Sequence, residues 1–292
     1  MPMSRSRKRE KLPGLPQRAA LLIVIGLLLL ISGCDVNHVR PYREQLVLEG
    51  QMIVGYTPVV RISHTVPIDR TDIAVDNGIS GARVTLRIGG DSSGIIVPMT
   101  EMSDQAGHGY WGPGHYGAIG YAVLPGVRYA ITAVVNGDTL TAETVAAGSL
   151  HIASQNQDTV ICGRTNLVLR WYSDPYASGY YVVIDNMELR SNRHDADCNV
   201  IPFGTFAPGD WTVSHRDDSL SVPWVMLRYA GPYQAIVYSC DHAFWDYAYT
   251  STYGQVENYP VSNVHGGLGV FCALGVDTTY FYLENQHDSG EH

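Results

Sequence analysis

From residue 44 onward the apolar positions repeat every second residue, not every third or fourth. "EQLVLEGQMIV" (44–54) and "PVVRISHTVPI" (58–68) alternate β-branched and polar residues, which predicts strands; Val60 and Ile62 followed by Val66 and Ile68 predict a local kink in the second. "GARVTLRIGG" (81–90) puts Val84, Leu86 and Ile88 on one face and Arg83, Thr85 and Arg87 on the other. In "GVRYAITAVVNGDTLTAETV" (126–145), Asn136-Gly137 separates two alternating runs, a strong hairpin signal. No helical period is visible from Leu46 to Val145. Turn signals every 8–12 residues give this stretch the rhythm of a β-sandwich, and residues 45–148 read as an N-terminal sandwich domain.

Polar "SLHIASQNQD" reads as a linker at 149–158. A second β-rich unit, 159–292, is predicted from "TNLVLRWYS" and "GYYVVIDNMEL", and from "SVPWVMLRYAG" and "PYQAIVYSC" as further strands. "DHAFWDYAYTSTY" (241–253) is its one predicted helix, with Asp241 as N-cap. The expected fold class is therefore all-β: two β-sandwich-like (immunoglobulin- or fibronectin-like) domains with one short helix in the second.

The first 33 residues follow another pattern. Six bases from Arg5 to Arg18 precede an apolar run, Ala19 to Ile31, and then Ser32, Gly33 and Cys34. This order predicts an export signal, and the run is short of the about 20 residues of a membrane span. "LISGC" resembles the bacterial lipobox, which implies cleavage before Cys34 and lipid on its thiol; an uncleaved signal anchor is the alternative. Several acyl chains on one cysteine hold a protein firmly at a bilayer. Residues 34–44 then read as a tether. Without 1–33 the chain carries thirteen bases against twenty-seven acids, a net charge of −14. Such a chain repels phosphate backbones, which argues against nucleic acid as a partner.

With Cys34 lipidated, Cys162, Cys198, Cys240 and Cys272 remain. An even number in an oxidising compartment predicts two disulfides, with three connectivities open. Zinc is the alternative, but the chain has no C-x-x-C pair. The histidines and the acidic pairs Asp195/Asp197 and Asp217/Asp218 lack the spacing of a known metal loop, so no metal or cofactor is expected. No G-x-S-x-G occurs. The binding candidate is "GHGYWGPGHYGAIGY" (107–121), where Tyr110, Trp111, His115 and Tyr116 lie among glycines and could stack on a sugar, a peptide or a partner; the alternative is that Trp111 and Tyr110 plug one end of the sandwich core.

"SNVHGGLGVFCALG" (262–275) has neither phosphate-loop nor dinucleotide spacing. Gly266 and Gly267 read as a scaffold turn into a strand from Leu268 to Ala273. Together with "EQLVLEGQMIVGYTPVVRISHTVPI", "ISGARVTL" and "PGVRYAITAVVNGDTLTAET", this segment resembles a family of bacterial surface lipoproteins, domain of unknown function 4249. The resemblance implies lipid attachment, an outer-membrane address, β-rich architecture and a role beside an outer-membrane uptake receptor. It supplies no catalytic residues. The expected function is a non-catalytic, lipid-anchored envelope binding or accessory protein. An envelope hydrolase acting on glycan or peptide and a purely structural envelope component are the alternatives.

Overall fold

The alternating pattern becomes strands almost throughout. The computed structural model describes residues 42–67, 77–90, 93–102, 112–187, 193–194, 200–201, 211–227, 230–253 and 261–284. In chain order the first strands are β1 (Leu46–Ile53), β2 (Val59–His64), β3 (Arg83–Ile88), β4 (Ile95–Pro98), β5 (Thr100–Glu101), β6 (His115–Gly117), β7 (Arg128–Val135) and β8 (Asp138–Val145). There follow β9 (Ile152–Gln155), β10 (Thr159–Ile161), β11 (Leu167–Trp171), β12 (Gly179–Asn186), β13 (Arg193–His194), β14 (Val200–Ile201), β15 (Trp211–His215), β16 (Ser219–Val222) and β17 (Gly231–Cys240). Helix α1 (His242–Tyr253) and β18 (Leu268–Glu284) complete the described elements.

The long strand β18 organises the rest. Its first half pairs in parallel with β1, from Val47↔Leu268 to Ile53↔Leu274. Its second half pairs antiparallel with β17, from Ser239↔Gly275 to Gly231↔Leu283. One hydrogen-bonded path therefore runs β15-β12-β17-β18-β1-β2-β6-β5, with β10 also beside β18. A four-stranded sheet, β4-β3-β7-β8, covers the β1–β2 end. Between the two layers lie Leu48, Met52, Ile62 and Phe271 from one side and Val84, Leu86, Tyr129 and Ile131 from the other. A three-stranded sheet, β16-β11-β9, covers the other end. There Leu167, Leu169 and Trp171 meet Val182, Ile184, Val237 and Phe281. The fold is all-β, two sandwich-like layer pairs sharing one strand.

Several local expectations have direct counterparts. Asn136 (φ 49°) and Gly137 (φ 100°) turn β7 into β8, where both residues need the left-handed region. Asp241 caps α1, its Oδ1 accepting the Phe244 N–H at 2.8 Å. The segment read as a linker contains β9, which pairs with β11, so it belongs to the second sandwich. The strand read in "SVPWVMLRYAG" ends at Val222; Pro223, with φ −64° and no N–H to donate, instead opens a 3-10 turn at Trp224–Met226. The C-terminal strand crosses the sequence boundary between the two units, contributing Phe271 and Ala273 to one core and Phe281 and Leu283 to the other.

Candidate functional site

Alternation that buries Leu48 and Met52 in the core turns Val47, Glu49 and Gln51 outward. On β2 it does the same for Val59 and Arg61. Strand register then aligns a row across four strands, His115–Arg61–Glu49–Val270. This outward face floors a groove of about 590 Å³, closed on one side by Tyr247 of α1 and by Ser262. Val47, Val59, Leu268 and Val270 supply its apolar surface. The volume is within the range of small-ligand sites, about 300–1,000 Å³.

The polar groups in the groove are held in fixed geometry. The Arg61 guanidinium donates Nη1–H to Glu49 Oε2 at 3.2 Å and Nη2–H to Asn77 Oδ1 at 2.7 Å. Asn77 is itself fixed by donating to the His64 carbonyl at 2.6 Å. His115 Nδ1 lies 2.8 Å from the Gly112 carbonyl. A carbonyl only accepts, so Nδ1 carries the proton and Nε2 is the remaining ring nitrogen. Arg61 is thus clamped from two sides, which fixes the position of its charge in the groove.

The wall of the groove stands on a second apolar layer. Trp245 and Ala243 of α1 pack with Cys240, Val270, Cys272 and Leu274 on the side of β18 away from Phe271. Phe244 meets Tyr181 edge-on at 5.7 Å, and Arg216 lies over the Trp245 ring at 5.4 Å. Gly179 leaves the space that the Trp245 ring occupies. Beyond the helix, Thr250 Oγ1 accepts the Val261 N–H at 2.9 Å. Asn263 then pairs with Phe271 in both directions, accepting its N–H at 2.9 Å and donating to its carbonyl at 2.8 Å. This clamp leads into Gly266 (φ 85°), which lies against the Thr139 carbonyl, so the glycine-rich segment acts as scaffold.

Of the binding candidates, His115 lines the groove. Tyr116 does not: it is 1% exposed, and its hydroxyl donates to the Ile79 carbonyl at 2.8 Å and accepts from the Ala82 N–H at 2.9 Å. Alternation along β6 sends it into the core, where desolvation raises its phenol pKa. Tyr110, Trp111, Cys34 and Cys198 lie outside the described residues. Cys162 is disulfide-bonded. The expectation of a second disulfide is corrected, because Cys240 and Cys272 are both free and buried. Burial, with the Asp241 carboxylate nearby, pushes both thiols well above the usual range. Among the described residues no group of His, Cys, Asp and Glu is arranged to hold a metal.

Glu49, Arg61, Gln51 and Tyr247 were not singled out by sequence reasoning. Their outward alternation was legible; the parallel pairing of β1 with a strand over 200 residues away, which builds the groove, was not.

The fold and groove define an all-β protein with a ligand-sized cleft on a sheet face. No family model matches the chain, and no curated protein matches it. Among solved structures, the FN1–FN3 domains of chicken CNTN1 are similar at 11% identity and a TM-score of 0.27, over 82% of this chain and 67% of that one. A TM-score this low does not establish shared topology, and the all-β assignment stands on the sheets themselves.

Proposed function

We propose that the protein is a non-catalytic binding component of the cell envelope, anchored through lipid on Cys34 and working beside an outer-membrane uptake receptor. The groove between β2, β1, β18 and α1 carries this reading. Its floor mixes apolar side chains with ionisable groups that are engaged by neighbours: Arg61 by Glu49 and Asn77, His115 by Gly112. Groups so tied orient a ligand; they are not aligned as nucleophile and base. The export pattern and the resemblance to domain of unknown function 4249 supply the address and the class of partner.

The test is site-specific photo-crosslinking of the full-length protein in its native membrane. A photoreactive residue at Gln51, on the groove floor, is expected to capture a receptor-type barrel or its cargo. The same residue at Ile95, exposed on another sheet, is expected to capture neither. Equal capture at both positions, or cleavage of a glycan or peptide library by the pure protein, overturns the reading.

A further inference from the structure

The outer face of the second sandwich changes character along its length. Helix α1 covers one end of it, where Phe244 meets Tyr181 and Trp245 packs with Val270, Cys272 and Leu274. Farther along β18, alternation with buried Phe281 and Leu283 turns Tyr280 and Tyr282 outward, 59% and 48% exposed. The strand register sets two rows around them. Asp185–Gln234–Tyr280 crosses β12, β17 and β18, and Pro232–Tyr282–Thr159 crosses β17, β18 and β10. The two tyrosines are about 6.6 Å apart along the strand, on one face of the sheet.

Polar groups are held next to these rings. Gln234 donates Nε2–H to Asp185 Oδ2 at 3.0 Å, which fixes the amide beside Tyr280. An amide bound through one N–H still has a second N–H and a carbonyl oxygen, and a carboxylate accepts more than one hydrogen bond. Donor and acceptor therefore stand together beside an aromatic ring. A sugar presents the matching groups: an apolar ring face, and hydroxyls that both donate and accept. A proline-rich peptide also stacks on tyrosine, but its prolines have no N–H to offer the carboxylate. Among the described outward positions of β10, β12, β17 and β18 the charged residues are Asp185 and Glu284, both acids, which disfavours an acidic ligand.

We propose that this face is a binding site for a neutral saccharide chain. Tyr280 and Tyr282 stack on two of its rings. Gln234 and Asp185 exchange hydrogen bonds with the hydroxyls of the ring over Tyr280, and Thr159 meets those of the ring over Tyr282. The site lies on the second sandwich and does not depend on the function proposed for the groove between β2, β1, β18 and α1.

The test is calorimetric titration of the full-length protein, in a detergent without a sugar headgroup, with four probes: cellohexaose, maltohexaose, hexagalacturonate and decaproline. At least one of the two neutral hexasaccharides is expected to bind about tenfold or more tightly than hexagalacturonate and decaproline, with an affinity indifferent to added salt. Tyr280→Ala and Tyr282→Ala should each weaken that binding by about tenfold. Gln234→Ala should weaken it too, whereas Tyr280→Phe, which keeps the ring, should retain most of it. Tyr172→Ala, an exposed tyrosine outside this face, should leave it unchanged. No binding of either neutral probe, binding of hexagalacturonate or decaproline within tenfold of the better neutral one, or neutral binding indifferent to Tyr280→Ala, Tyr282→Ala and Gln234→Ala overturns the proposal.

Discussion

The hydroxyl of Thr144 donates a 2.5 Å hydrogen bond to Asp241 Oδ2, joining residues 97 positions apart. The same carboxylate oxygen accepts the Ala273 N–H at 2.6 Å, while Oδ1 caps α1 through Phe244. Asp241 is 1% exposed. One buried carboxyl thus ties the first sandwich, the shared strand β18 and the helix that walls the groove. Asp241→Ala removes a cap worth about 1 kcal/mol and leaves buried donors unpaired at about 1–3 kcal/mol. The expected loss is about 2–4 kcal/mol, read as a lower urea midpoint by circular dichroism.

The same residue gives the stability a pH dependence. Desolvation by burial raises the Asp241 pKa to about 6 from 3.8, against the hydrogen bonds from Thr144, Phe244 and Ala273. The folded state therefore holds a proton that the unfolded chain has already released between these values. Its contribution is complete below about 3.8 and is lost as pH rises through 6. Urea midpoints measured from pH 4 to 7.5 should show this downward component in the wild type and not in Asp241→Asn.

Gly269 has φ 118° and sits against the Leu48 carbonyl in the parallel β1–β18 pairing. A methyl group there meets both backbone strain and overlap. Gly269→Ala should cost at least about 2 kcal/mol, well above an ordinary surface exchange. A thermal melt checks it, and a loss under 0.5 kcal/mol (~) would contradict the placement.

Cys240 and Cys272 are free, buried and held as thiols by their surroundings. A disulfide-exchange reagent should leave both unmodified in the native protein and label both in urea. Rapid labelling of either under native conditions would contradict the packing of α1 on β18.

What the sequence disclosed follows from how far apart the deciding residues lie. The Asn136-Gly137 hairpin and the Asp241 cap are local, so their chemistry is visible in a few residues. Alternation likewise told Arg83, Thr85 and Arg87 from Val84 and Leu86. Tyr116 was misplaced because a short strand in a glycine-rich run shows too little alternation to reveal its inner side. The span of β18 was legible only as far as Ala273, since nothing local announces that one strand serves two cores. The groove and the outer rows of the second sandwich depend on which strands become neighbours, and that is settled by burial of whole faces.

The shared strand also governs how the body bears load. A pull on the chain ahead of Glu44 enters along β1, which lies parallel to β18 over seven register pairs. Drawn against the far end of β18, those hydrogen bonds are strained together in shear instead of opening one after another like a zip. The molecule is thereby built to resist tension between the start of β1 and its second sandwich.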